Sequence, residues 1–147
     1  MRNSKLLFAS FLAILFIATL PTPSQAQAME KEKVSQEDPK PIMSFDRRSH
    51  DFGKVKRGEK KETEFVFTNT GNAPLEIDIV SACECTTTDY PIRPIPPGQS
   101  GSIKVIFDST EKEENEVIDI DIFLKNTDPE TGLPIIEMLQ YTYDLIQ

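Results

Sequence analysis

The chain has 147 residues and a formal net charge of −8, from 16 basic and 24 acidic side chains. That length fits a single domain, and the acidic balance repels nucleic-acid phosphates and anionic lipid, so neither is an expected partner. Trp is absent and His50 is the lone histidine, which leaves little for conventional acid–base catalysis.

Arg2 and Lys5 give the N-terminus a short basic start, and Leu6–Leu20 is apolar apart from Ser10 and Thr19. Pro21 and Pro23 stop any helix there. Ser24, Ala26 and Ala28 then meet the small-x-small requirement of signal peptidase, so residues 1–28 are expected to be a signal peptide cleaved after Ala26 or Ala28. The apolar run is short for a membrane span, which needs roughly 20 apolar residues. The expected product is exported, periplasmic or extracellular, with no membrane span once the leader is removed. Losing Arg2 and Lys5 from the 16 basic residues leaves 14 against 24 acidic ones, a net charge near −10.

Residues 29–41 mix Glu30, Lys31, Glu32, Lys33, Glu37, Asp38 and Lys40 with two prolines, and read as a flexible charged linker. From residue 42 the pattern changes. Ile42–Phe45 and His50–Val55 are short strand candidates around the charged corner Asp46-Arg47-Arg48. Lys60–Thr70 alternates, with Thr63, Phe65 and Phe67 on one face and Glu62, Glu64 and Thr68 on the other, the mark of a strand with one buried side. Thr70–Pro74 is a turn. Leu75–Ala82 follows, with Leu75, Ile77 and Ile79 opposed to Glu76 and Asp78.

Pro91, Pro94, Pro96 and Pro97 make Thr86–Pro97 an edge segment or crossover, because proline cannot serve a central strand. Ser102–Asp108 alternates through Ile103, Val105 and Phe107. Glu111–Glu116 reads as an acidic, hairpin-like connection. Val117–Lys125 sets Ile118, Ile120, Ile122 and Leu124 against Asp119 and Asp121. Asn126–Pro134 is a loop, and Ile135–Ile146 is the last strand, with Leu139, Tyr141, Tyr143 and Leu145 on one side. About seven strands in roughly 105 residues (42–147) predict an all-β, Ig-like antiparallel β-sandwich. Its expected core is Phe65, Phe67, Ile77, Ile79, Ile103, Val105, Phe107, Ile118, Ile120 and Ile122.

Asp51–Val55, Gly58-Glu59, Phe65–Asn72, Pro74-Leu75, Ser81–Thr86, Pro96–Gly98, Val105–Asp108 and Asn126–Pro129 occur in an order that resembles a secreted bacterial Ig-like domain family of unknown function. That family carries a Cys-Gly-Cys-Thr motif and is akin to the Hydin-like and major-sperm-protein-like sandwiches. The resemblance runs from Phe45 to about Tyr143 and implies the fold, with no activity attached. Glu84 stands where the family pattern has Gly between the cysteines, and Gly would ease the tight backbone of a Cys-x-Cys ring.

Cys83 and Cys85 are the candidate site, as a disulfide or a redox pair. In a flat strand their Cα atoms would lie about 6.5–7 Å apart, whereas a disulfide prefers roughly 5.5–6 Å, so bridging requires a local turn or bulge. Three readings stay open: a local disulfide or thiol pair capping a strand end, a redox dithiol, or a soft-metal site. No Lys, Arg or His adjoins the pair in sequence, and a closed zinc site wants four ligands. His50 reads as a strand-end residue. Glu111, Glu113, Glu114, Glu116, Asp119 and Asp121 lack calcium-loop spacing, and no base is placed to activate Thr86, Thr87 or Thr88. The expectation is an exported, non-enzymatic interaction or structural module of the cell envelope, without cofactor or metal. A protein partner is expected; an exposed edge strand can accept a partner strand, and the prolines at Pro91–Pro97 fit equally well an edge protected from that pairing. The alternative is a thiol-dependent redox or soft-metal-handling protein using Cys83 and Cys85.

Overall fold

The computed structural model describes residues 38–146. The expected signal peptide and the linker as far as residue 37 lie outside the described residues. Eight strands follow: β1 Met43–Phe45, β2 Ser49–Lys56, β3 Lys60–Asn69, β4 Ile77–Ser81, β5 Thr86–Asp89, β6 Ser100–Asp108, β7 Glu116–Thr127 and β8 Pro134–Ile146. They form two four-stranded sheets, ordered β1-β3-β6-β5 and β2-β8-β7-β4. The all-β sandwich is therefore present, and no described residue is helical.

Two details differ from the expectation. The eighth strand is β5, the first four residues of the proline-rich segment, which pairs with β6 before the prolines begin. The sandwich is also not wholly antiparallel, because β2 lies parallel to β8, with His50 opposite Tyr141 and Val55 opposite Leu145. Nothing local in an alternating strand states which neighbour it will take or in which direction. The acidic connection after β6 is likewise no hairpin, since it carries the chain from the first sheet to the second.

Alternation sets which side chains meet between the sheets. Phe65 sits opposite Ile103 and Thr63 opposite Val105 across the β3–β6 ladder, and all four are buried. Phe67 faces Gly101, where a Cβ would come within 2.7 Å of the Phe67 ring, so the glycine makes room for the aromatic. The second sheet contributes Val55, Ile77, Val80, Ile118, Ile120, Ile122, Leu124, Leu139, Tyr141 and Tyr143. Each such side chain contributes about 1.5–3 kcal/mol on burial.

One expected core residue is misplaced. Ile79 is 50% exposed, whereas Val80 is buried. A register irregularity between Ile77 and Ile79 in the β4–β7 pairing inserts the extra residue. A bulge of this kind reverses the faces beyond it, which strict alternation cannot anticipate.

A polar knot ties the chain ends of the first sheet together. Asn69 is fully buried, and its amide group donates to the carbonyls of Ala73 and Ile95 at 2.8 and 2.9 Å. Its side-chain oxygen accepts from the amides of Ile42 and Gly71. Asp38–Pro41 lies against the same turn: the Lys40 amide donates to Asn72 Oδ1 at 2.7 Å, and the Lys40 ammonium pairs with Asp128 at 2.6 Å.

Candidate functional site: the Cys83–Cys85 turn and the outer face of the second sheet

β4 ends at Ser81, and the chain turns through Glu84 and Cys85 before β5 begins at Thr86. The turn is closed by the Thr86 amide donating to the Cys83 carbonyl at 2.9 Å, and the Asp108 amide anchors it by donating to the Cys85 carbonyl. Cys83 and Cys85 are joined as a disulfide, with Cα atoms 5.2 Å apart. The turn supplies the approach that a flat strand denies, and it does so with Glu84 at the central position. Both cysteines are partly buried against the core.

Beneath the sulfurs lies a pair of hydroxyls. Thr86 Oγ1 is 2.6 Å from the Tyr141 hydroxyl, 3.3 Å from Cys83 Sγ and 3.7 Å from Cys85 Sγ. The Tyr141 hydroxyl is itself 3.7 Å from Cys85 Sγ. Tyr141 is held by Phe52 and Phe107, each with its ring centroid 5.2 Å away. Desolvation pushes the Tyr141 phenol up to about 12, with the Thr86 hydrogen bond working the other way, so it stays protonated at neutral pH. Thr86 was visible in the sequence as a hydroxyl without a base. Its partner, 55 residues later in the chain, was not visible.

The turn borders an open depression of about 630 Å³ lined by Cys83, Glu84, Cys85, Asp108, Thr110, Glu111 and Lys112. The Thr110 hydroxyl and amide donate to Asp108 Oδ1 at 2.6 and 3.0 Å. Those two bonds, followed by the Lys60 ammonium, draw the Asp108 carboxyl down to about 2. The Lys112 ammonium pairs with Glu116.

The remaining sequence candidates stay apart from this turn. His50 is on β2, its ring edge-on to Phe52 at 4.6 Å, and desolvation followed by the Arg47 charge lowers its pKa. Among the described residues, no three His, Cys, Asp or Glu side chains converge as a metal would require, and the acidic residues at 111–121 do not gather into a site. No described helix is long and apolar enough to cross a membrane.

A second feature, on the outward face, was not legible from alternation, which set Ile79 in the core and passed over Phe123 and Ile136. Ile79, Phe123 and Ile136 are direct cross-strand partners on β4, β7 and β8. They form one row on the solvent side of the second sheet. Met138 continues it, paired with Asp121. Ile79, Ile136 and Met138 are 50%, 53% and 55% exposed. Asp121 lies opposite Met138, and Asp119 lies opposite Gln140 two residues along the same strands.

Solved structures share this fold. A protein of unknown function from Porphyromonas gingivalis W83 is 21% identical with a TM-score of 0.59, over 71% of this chain and 47% of its own. The Vibrio cholerae VesB protease is 15% identical with a TM-score of 0.55, over 69% of this chain and 31% of its own. This chain thus spans less than half the length of either. The PapD-like domain 7 of human CEP192 is 12% identical with a TM-score of 0.56, over 71% of this chain and 85% of that domain. At these identities the likeness is one of fold, Ig-like and PapD-like. No curated protein matches the chain. Residues 43–136 match the family described as protein of unknown function (DUF1573), and the chain belongs to that family.

Proposed function

We propose that this chain is an exported, non-enzymatic interaction module of the cell envelope that holds a protein partner on the outer face of its second sheet. The observation that carries the reading is the contiguous row Ile79, Phe123, Ile136 and Met138 across three strands, in which Phe123 is half-buried and the other three are exposed. Apolar side chains scattered singly on a surface need no explanation, but a joined row of them marks a contact site. Asp119 and Asp121 favour a partner whose apolar strip is flanked by Lys or Arg, and they oppose a second copy of this acidic chain.

Strand addition at an edge has less to work with. β1, β5 and β4 are edge strands of 3, 4 and 5 residues. The longer edge, β2, breaks register between Asp51 and Lys54 around Gly53, whose φ is 62°. Short and bulged edges resist a new strand. Docking on the sheet face is therefore proposed in preference to strand addition. Export itself rests on the basic start, apolar run and small-x-small sites of residues 1–28.

The test is a pull-down from envelope fractions with the full chain, comparing wild type with a double variant, Ile136→Asp and Met138→Asp. The reading requires a partner that is captured by the wild type and lost by the folded variant. Equal capture by both would refute it.

A further inference from the structure

We propose that the Cys83–Cys85 disulfide is a redox-active pair that accepts two electrons from a protein or peptide dithiol. A ring closed over two residues of sequence separation removes little freedom from the unfolded chain, so as a cross-link it contributes little to a domain that already has a full core. What surrounds it serves the reduced state instead. Cys83 and Cys85 are among the residues lining an open depression, the proposed route for the incoming thiol. Thr86 Oγ1 approaches both sulfurs, and Tyr141 backs Thr86.

A disulfide sulfur is a weak acceptor, while a thiolate is a strong one. Either hydroxyl can donate in the Tyr141–Thr86 pair; in the proposed arrangement, Tyr141 donates to Thr86 Oγ1 once a thiolate forms. That leaves the Thr86 proton free to turn toward Cys83 Sγ, 3.3 Å away. Glu84, Asp108 and Glu111 oppose a thiolate in the depression and Lys112 favours one, so the Thr86 hydrogen bond is the decisive local support. Stabilising the leaving thiolate speeds exchange.

In the first step a thiolate of the partner attacks Cys85 Sγ. A partner–Cys85 disulfide forms, the Cys83–Cys85 bond breaks, and Cys83 leaves as a thiolate held by Thr86 and then protonated from solvent. The partner's second thiol then loses its proton and attacks the partner sulfur of the mixed disulfide. The partner's own disulfide forms, and Cys85 departs and is protonated. Two electrons and two protons have passed from the dithiol to the cysteines.

The test uses the full chain and dithiothreitol as the dithiol, with alkylation and mass measurement reporting free thiols and circular dichroism reporting the fold. The wild-type disulfide should be reduced while the sandwich stays folded. Thr86→Val should slow that reduction by about tenfold, the value of one hydrogen bond to a charged group. Thr86→Ser, which keeps the hydroxyl, should retain the wild-type rate. The proposal is overturned by a disulfide reduced only on unfolding, by slowing of less than about threefold in Thr86→Val, or by equal slowing in Thr86→Ser.

Discussion

Tyr141, in the middle of β8, places its hydroxyl 2.6 Å from Thr86 Oγ1 at the start of β5, joining the two sheets directly beneath the Cys83–Cys85 disulfide. This contact makes the cysteine turn part of the core instead of a loose connection. It also ties the turn's ordering to the state of one buried phenol. The unfolded-state pKa of tyrosine is near 10, and burial raises the folded values of Tyr141 and Tyr143 to about 12. Because the folded pKa values are raised, the stability they carry is complete below pH ~10 and is lost as pH climbs toward ~12. Denaturant midpoints measured across that window should fall steeply in wild type and less steeply in Tyr141→Phe. At neutral pH, Tyr141→Phe should cost about 1 kcal/mol for the lost hydrogen bond.

Asn69 makes the strongest stability prediction. Both of its amide protons and its oxygen are engaged with main-chain groups of four separate residues in a fully buried site. Asn69→Leu would strand those groups without partners and should cost about 2–4 kcal/mol by chemical denaturation. Asn69→Asp should be no better, because a carboxylate cannot donate to the carbonyls of Ala73 and Ile95.

Gly71 is required for space, because the segment leading into β1 crosses directly over it. A Cβ there would overlap the Lys40 carbonyl and approach the Ile42 amide within 2.6 Å, and both are backbone atoms that cannot step aside singly. Gly71→Ala should lower stability by about 1–3 kcal/mol. It should also speed hydrogen exchange at the Ile42 and Asn72 amides, which are bonded across this crossing.

The bulge in β4 predicts opposite outcomes for adjacent residues. Ile79→Thr should change stability by no more than about 0.5 kcal/mol, as expected for an exposed side chain. Val80→Ala should cost about 1–2 kcal/mol through the cavity it leaves. Equal costs, or a larger cost at Ile79, would place the register irregularity elsewhere.

The sandwich was legible from residue 42 onward because each strand with one buried face writes its own period into the sequence. Phe65, Ile103 and Ile120, read as interior from alternation, have no exposed surface. Ile79 misled because one inserted residue flips the face without altering composition. The parallel β2–β8 pairing and the placement of Tyr141 under Cys85 are contacts between distant segments, on which local period is silent. The outer row of Ile79, Phe123 and Ile136 hid for another reason: Ile79 read as interior, and Phe123 and Ile136 take positions that polar residues occupy elsewhere, so local period did not join the three. Only the pairing register shows them lying side by side.

The interaction face can be tested most directly by site-specific photo-crosslinking in cells that make the full chain. A benzophenone side chain would be installed in turn at Ile136, at Met138, and at Val66 on the outer face of the opposite sheet, where the native residue is 40% exposed. The same partner should be captured from Ile136 and Met138 and not from Val66. Capture from Val66 with none from Ile136 or Met138, or no partner at any of the three, would contradict the docking of a protein on the second sheet.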